Sequence, residues 1–299
     1  MNLLITGAWN DAEKHFPLLT ESGHSICFLQ QEKDPLPCDP TWVEGVICNG
    51  LFLYHPIESF SNLRYIQLTS AGFDRVPMDY VREKGIEIHN ARGVYSIPMA
   101  EFVLASVLER YKELSLFRVQ QKAHLWKKHR GLRELAGKKV VIVGCGDVGA
   151  ACAARFQAFG TSVTGVNRTV REMSCFDAVV GLDGLDDELR SADIAVVTIA
   201  LTDETRSLVK ARLLKPDAIL VNISRGATVD LTDAKCELIL DVFENEPLEE
   251  QSELWDRAVV TPHNSFVGDG NADRLWNVIR ENLDRCRQDL CANLFAGSG

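Results

Sequence analysis

The sequence predicts an α/β protein of two parallel-sheet domains, and three observations predict it. Short apolar runs closed by turn residues recur through the first ninety residues and again from Lys139 onward, with helical patterns between them. The stretch Lys139-Val140-Val141-Ile142-Val143-Gly144-Cys145-Gly146-Asp147-Val148-Gly149 runs an apolar strand into a G-x-G-x-x-G turn and then into an Ala-rich helix. A chain of 299 residues is also long enough for two domains, each with its own core.

Composition narrows the class. With 46% hydrophobic and 25% charged residues the chain reads as soluble and globular, and no apolar run approaches the length of a membrane span. A net charge of −10 disfavours nucleic acid as a partner. The nine cysteines, an odd number, form no C-x-x-C pair, so buried reduced thiols are expected, with neither a disulfide frame nor a metal site. The start, Met1 to Gly7, lacks the basic residues and cleavage site of a signal peptide and reads as a first strand, which implies a cytoplasmic protein.

The first ninety residues predict strands at Asn2–Thr6, Ser25–Leu29, Gly45–Asn49, Leu63–Leu68 and Ile86–His89, helices at Asp11–Thr20 and Asp79–Glu83, and a loop through Asp34-Pro35-Leu36-Pro37-Cys38-Asp39-Pro40. Ligands of open α/β sheets gather beyond the carboxyl ends of strands, so Asn49-Gly50 and Thr69-Ser70-Ala71-Gly72-Phe73-Asp74 are both candidates for a cleft. The second is the better one: its successive N–H groups, left accessible by Gly72, suit a carboxylate, although a tight β-to-α connection explains it equally well. Asn90 to Ser96 then reads as a linker, and Pro98 opens a long helix with Met99, Phe102, Val103, Val107, Leu108, Tyr111 and Leu114 at helical spacing. Between Arg118 and Lys139, the basic residues Lys122, Lys127, Lys128, Arg130, Arg133 and Lys138 face one acid, Glu134; a solvated face is favoured over a phosphate or partner site.

The glycine turn carries the second domain. Gly144 allows the tight turn, Gly146 lets a pyrophosphate approach the backbone, and Gly149 lets helix and strand pack closely, as in the Rossmann dinucleotide fold. The helix from Ala150 to Phe159 points its N-terminus at the anion, with Asp147 and Val148 beside it. At the tip of the next strand, Gly160–Val166, stand Asn167 and Arg168, where an acid usually holds a free ribose 2′-hydroxyl. A guanidinium there attracts a 2′-phosphate, so NADP(H) is favoured over NAD(H); a solvated loop cation is the alternative. Further strands are expected at Ala178–Val180, Ile194–Ile199, Ala218–Ile223 and Val259–Thr261. Strand ends are followed by Ser224-Arg225-Gly226, by Asp241-Val242-Phe243-Glu244-Asn245-Glu246-Pro247 and by Thr261-Pro262-His263. Arg225, Glu246 and His263 thus form a plausible converging set, though singly each is also an ordinary ion pair, turn acid or loop histidine. From Gly270, a helix with Leu275, Trp276, Val278, Ile279 and Leu283 on one side returns the chain to the first domain.

These segments, with Met99-Ala100-Glu101 and Asn222-Ile223-Ser224-Arg225-Gly226, follow an order and approximate spacing that resembles the D-isomer-specific 2-hydroxyacid dehydrogenases over nearly the whole chain, in particular the NADP-preferring glyoxylate/hydroxypyruvate reductase-like members. The resemblance implies a discontinuous, flavodoxin-like substrate domain (1–95 and 266–299) around a central Rossmann domain (96–265), and a homodimer joined through the central domains. It implies that Arg225 binds and polarises a 2-oxo acid, with help from Ser70 and the backbone of Ala71 and Gly72. It implies that His263 is the proton donor and that Glu246 orients it. Asp241 would meet the nicotinamide carboxamide, and Ala200, Thr205 and Ile223 would sit by the cofactor. The expected activity is reduction of a small 2-oxo acid to a D-2-hydroxy acid by NADPH, NADH being possible. Formate oxidation in the same family pairs the histidine with glutamine, so Glu246 speaks against it. The alternative is a dinucleotide-sensing, corepressor-like binding protein on the same fold.

Three departures from the family pattern stand out. Asn167-Arg168 replaces the commoner acid, Asn264-Ser265-Phe266 follows His263 where small residues are usual, and Asp230 to Asp241 is too short for a helix, loop and strand. That shortness is either a truncated connection or the loss of a segment near Ala234–Lys235 from the sequence. The second is preferred, because removing a packed helix should expose core.

Overall fold

The computed structural model describes residues 1–296, and side chains as far as residue 286. The side chain of Cys291 and the last three residues of the expected substrate domain therefore lie outside the described part. The chain folds as two compact units: Met1–Val94 together with the segment from Asp269 onward, and Tyr95–Gly268. No helix among the described residues is long and apolar enough to cross a membrane.

In the first unit β1 (Asn2–Thr6), β2 (Ser25–Leu29), β3 (Gly45–Cys48), β4 (Tyr65–Leu68) and β5 (Glu87–His89) form one sheet in the order β2-β1-β3-β4-β5. Every pair is parallel. This is the flavodoxin-like order, and its direction reverses between β1 and β3. The strands β3 and β4 are buried along their whole length, which is why they read as unbroken apolar runs. The expected helix at Asp11–Thr20 is split: a 3₁₀ turn at Ala12–His15 precedes α1 (Phe16–Glu21), and Pro17 occupies its first turn, where no N–H is needed. The helix α2 (Met78–Lys84) stops at Gly85, whose φ of 65° lets its N–H turn back to the carbonyls of Val81 and Arg82.

The second unit opens with α3 (Ser96–Tyr111), which starts two residues before Pro98; the proline sits in the first turn, so it neither opens nor breaks the helix. After α4 (Leu114–Lys122) an extended, exposed segment leads to β6 (Lys139–Val143). The helix α5 (Asp147–Ala158) follows, then β7 (Ser162–Val166) and β8 (Ala178–Val180). Beyond them come α6 (Leu185–Ser191), β9 (Ile194–Val197), the two-residue β10 (Val209–Lys210), β11 (Ile219–Asn222), β12 (Val229–Asp230) and β13 (Glu237–Leu240). The unit closes with α7 (Leu254–Arg257) and β14 (Ala258–Val260). Seven strands make a wholly parallel sheet in the order β14-β13-β11-β9-β6-β7-β8, with the reversal between β6 and β9. That is the doubly wound dinucleotide fold. Glu237, at the head of β13, takes Arg110 of α3 at 2.8 Å and Arg133 at 2.7 Å, and Arg133 lies 4.3 Å over the Tyr111 ring. Arg133 is thus a structural cation, unlike its exposed basic neighbours.

The short stretch after Asp230 is a turn, with the Thr232 N–H on the Asp230 carboxylate and the Ala234 N–H on the Leu231 carbonyl. The expectation that the missing helix would bare core is not met. Val229, Leu238 and Leu240 remain buried because Leu231, Ala234, Leu254 and Ala258 fold over them. Beside them lies a cavity of about 580 Å³ lined in part by Val229, Leu231, Phe243 and Leu254.

The last helix, α8 (Asn271–Ala296), belongs to the first unit. Leu275, Ile279 and Leu283 are buried at helical spacing, Arg274 donates to the Val94 carbonyl at 2.7 Å, and Trp276 stacks on His15 at 4.3 Å.

Candidate active site

The register of the larger sheet explains why distant residues meet. Asn222 of β11 pairs with Leu240 of β13, and Leu240 with Val260 of β14, so the three strands end level. Arg225, Asp241 and His263 leave adjacent strands at one carboxyl edge, where ligands of such sheets bind.

Glu246 and His263 are in direct contact. His263 Nδ1 and Glu246 Oε2 are 2.8 Å apart, and the other oxygen, Oε1, accepts the Phe243 N–H at 3.0 Å. An ionised carboxylate only accepts, so Nδ1 carries the hydrogen and Nε2 is left for a substrate. His263 has a left-handed backbone, φ 50°, and its N–H reaches the Asp241 and Thr261 carbonyls. Arg225 comes to the same place through Gly226. A Cβ on that glycine would fall on the backbone of Phe243 and Glu244, so the Arg225-Gly226 turn packs directly against the loop carrying Glu246. The Arg225 Nη1 donates to the Ser224 carbonyl at 2.8 Å, which bends the guanidinium back toward its own turn.

Asp241 does something not read from the sequence. It is 0% exposed, and its carboxylate accepts from Thr261 Oγ1 at 2.5 Å, the Asn264 N–H at 2.8 Å and the Ser265 N–H at 2.9 Å. It thereby staples both sides of the left-handed turn that holds the imidazole. The only trace in the sequence is a lone acid after an apolar run.

The glycine turn fits a dinucleotide. Gly144 has φ 105°, and a Cβ on it would press on Thr198 and Ile199 at 2.9 Å. On Gly149 a Cβ would strike the Gly144 carbonyl oxygen, whereas on Gly146 it would meet nothing within 4 Å. The second glycine is therefore required by no protein neighbour, and the open space before it is where a pyrophosphate would lie. The helix begins at Asp147, three residues earlier than Ala150, so Asp147, Val148 and Gly149 form its first turn. Thr205 Oγ1 donates to the Ala200 carbonyl at 2.7 Å, fixing the loop after β9 across the sheet's reversal. Ile223 is buried in the core, so only its backbone can face a ligand. At the tip of β7, Asn167 Nδ2 donates to the Thr169 carbonyl at 3.0 Å, and the exposed Arg168 pairs with Glu204.

In the first unit the two candidate turns separate cleanly. Glu32 accepts the N–H groups of Asn49 at 2.6 Å and Gly50 at 2.7 Å, and the Thr6 hydroxyl at 2.8 Å, so the chain's own carboxylate fills that turn. The other turn is braced from outside, by Asn90 Nδ2 on the Ala71 carbonyl at 2.6 Å and the Ala91 N–H on the Ser70 carbonyl at 2.9 Å. Among the described residues, no protein acceptor meets the N–H groups of Ser70, Ala71 or Gly72.

Residues 104–265 match the family described as D-isomer specific 2-hydroxyacid dehydrogenase, NAD binding domain. A glyoxylate reductase of Aeropyrum pernix is 31% identical over 248 residues, 74% of this chain and 72% of that one. A D-3-phosphoglycerate dehydrogenase of Methanocaldococcus jannaschii is 27% identical over 80% of this chain, which spans only 48% of that longer protein. Among solved structures, a D-isomer specific 2-hydroxyacid dehydrogenase from Xanthobacter autotrophicus Py2, in complex with NADPH and MES, is 27% identical with a TM-score of 0.77, covering 96% of this chain and 95% of that one.

Proposed function

The chain belongs to the D-isomer-specific 2-hydroxyacid dehydrogenase family of NAD(P)-dependent oxidoreductases, and on that premise we propose that it reduces small 2-oxo acids to D-2-hydroxy acids, with NADPH preferred over NADH. The observation that carries this reading is the Glu246–His263 pair, 2.8 Å apart at the strand edge where Arg225 also emerges.

Bound NADPH supplies the hydride. The planar fork of Arg225 grips the substrate carboxylate and polarises the 2-carbonyl; in the first unit, the accessible N–H groups of Ala71 and Gly72, next to Ser70, are of a kind that suits a carboxylate. His263, tied at Nδ1 to Glu246, gives its Nε2 proton to the carbonyl oxygen and recovers it in the reverse direction. The backbones of Gly144, Gly146, Asp147, Val148 and Gly149 take the pyrophosphate, and Asn167 and Arg168 the ribose and its 2′-phosphate. Ala200, Thr205 and the Ile223 backbone flank the cofactor. Asp241, expected at the carboxamide, is instead fully buried with its carboxylate committed to three hydrogen bonds, so its part is to hold the His263 turn in place.

The homodimer belongs to this proposal too. The face of α4 and the segment after it is apolar and open: Trp126 is 97% exposed, with Val119 and Leu125 also exposed among Lys122, Lys127 and Lys128. So much apolar surface beside basic charge suits a second copy of this acidic chain, in the cytoplasm.

Changing Arg225 to Ala tests the chemistry. Turnover should fall by at least about 10³-fold while NADPH affinity, read by fluorescence titration, stays within about threefold. Near-wild-type turnover in the variant would remove Arg225 from the reaction.

A further inference from the structure

The turn that carries the proton donor also carries a large apolar side chain whose role the reaction itself does not require. Phe266 is 40% exposed, and its ring stands edge-on to His263, centroids 6.0 Å apart and planes at 85°. Tyr95 braces the same ring from another direction, at 5.8 Å and 90°. Val267, next in the chain, is exposed as well. The Tyr95 ring is partly buried, and burial pushes its hydroxyl above the ordinary range, so it adds a neutral aromatic body and no charge. Phe266 is thus oriented by edge-to-face contacts and keeps part of its ring exposed. The hydroxyl of its neighbour Ser265 is buried under the turn, so the turn presents carbon at this point rather than a hydrogen-bonding group.

We infer that Phe266 is the specificity-determining residue of this enzyme, and that it selects 2-oxo acids whose side chain is apolar or aromatic over those carrying a second carboxylate or a phosphate. This rests on the reading of the chain as a 2-oxo acid reductase. A substrate oxygen on His263 Nε2 brings the carbon beyond the carbonyl into the neighbourhood of the histidine's own turn. An aromatic substituent there gains stacking and apolar burial against Phe266. A charged one is desolvated against the ring's apolar face. Glyoxylate, having no side chain, gains least, and so serves as an internal reference.

The test is a comparison of kcat/KM for phenylpyruvate, glyoxylate and oxaloacetate in the intact protein and in the Phe266→Ser and Phe266→Leu variants. Melting temperatures are measured alongside, to establish that both variants fold. The wild type should prefer phenylpyruvate to oxaloacetate by about 10- to 200-fold. In Phe266→Ser the ratio of phenylpyruvate to glyoxylate should fall about 10- to 100-fold, and Phe266→Leu should fall between the two. A wild type that reduces all three, with a phenylpyruvate-to-glyoxylate ratio that neither variant moves, overturns the role of Phe266 and leaves the reductase standing. A wild type that reduces none overturns the reductase and this inference together.

Discussion

The proposed preference for NADPH rests on one side chain, Arg168. Its guanidinium is exposed at the tip of β7 and paired with Glu204, also exposed, so the pair is weak and readily exchanged for a better anion. A 2′-phosphate offers more charge and bidentate geometry. Arg168→Ala should therefore weaken NADPH by about 10- to 100-fold and NADH by less than about threefold, measured as dissociation constants by titration. Glu204→Gln, by releasing the guanidinium, should tighten NADPH. Equal weakening of both cofactors in Arg168→Ala would mean that the cation serves the loop alone. The candidate residues were legible at this scale because charged side chains at strand ends are visible as such in the sequence. What stayed illegible was their use. That Glu32 fills the Asn49-Gly50 turn, and that Asp241 staples the turn of His263, are facts of tertiary contact across 17 and 24 positions, and no local pattern encodes them.

At the scale of elements, the glycine turn joins fold and function most tightly, and its three glycines serve different ends. A methyl group on Gly149 would collide with the Gly144 carbonyl, so Gly149→Ala should cost roughly 3 kcal/mol and lower Tm by about 10 °C. On Gly146 it would enter open space, so Gly146→Ala should leave Tm within about 2 °C and instead weaken NADPH binding. Calorimetry of both variants with and without NADPH reads the two effects apart, and a large fall in Tm for Gly146→Ala would mean that the glycine answers to the protein and not to the ligand. The same turn shows where sequence reasoning stops. Buried parallel strands announce themselves as apolar runs, and β1, β2, β6 and β8 lie at their expected limits. The helix α5 starts three residues before its sequence pattern does, because a glycine in a first turn looks like loop until its close packing is seen. The pairs β10 and β12 are too short to carry a period, and α4 was hidden inside a basic run whose apolar side faces outward.

For the whole molecule, the proposed dimer would bury the exposed apolar face on α4 and beyond. Trp126→Ser, combined with Val119→Ser, should shift a particle of twice 33.3 kDa toward the monomer, weakening association by at least about 30-fold in light scattering behind size exclusion. A wild-type protein that runs at 33.3 kDa at all concentrations would return that face to other uses. The division into two parallel-sheet units was legible from strand spacing, since each strand needs only its own apolar run to be seen. The closure of the short connection after Asp230 was not, because it depends on Leu231 and Leu254 meeting over the sheet. The central claim is that the strand-edge cluster of Arg225, Glu246 and His263 makes this chain an enzyme and not a dinucleotide sensor. Its most direct measurement is the loss of NADPH on addition of a 2-oxo acid, with chiral analysis of the product. One D-2-hydroxy acid should form for each NADPH consumed, whereas a protein that binds NADPH tightly yet consumes none with glyoxylate, hydroxypyruvate or phenylpyruvate would contradict it.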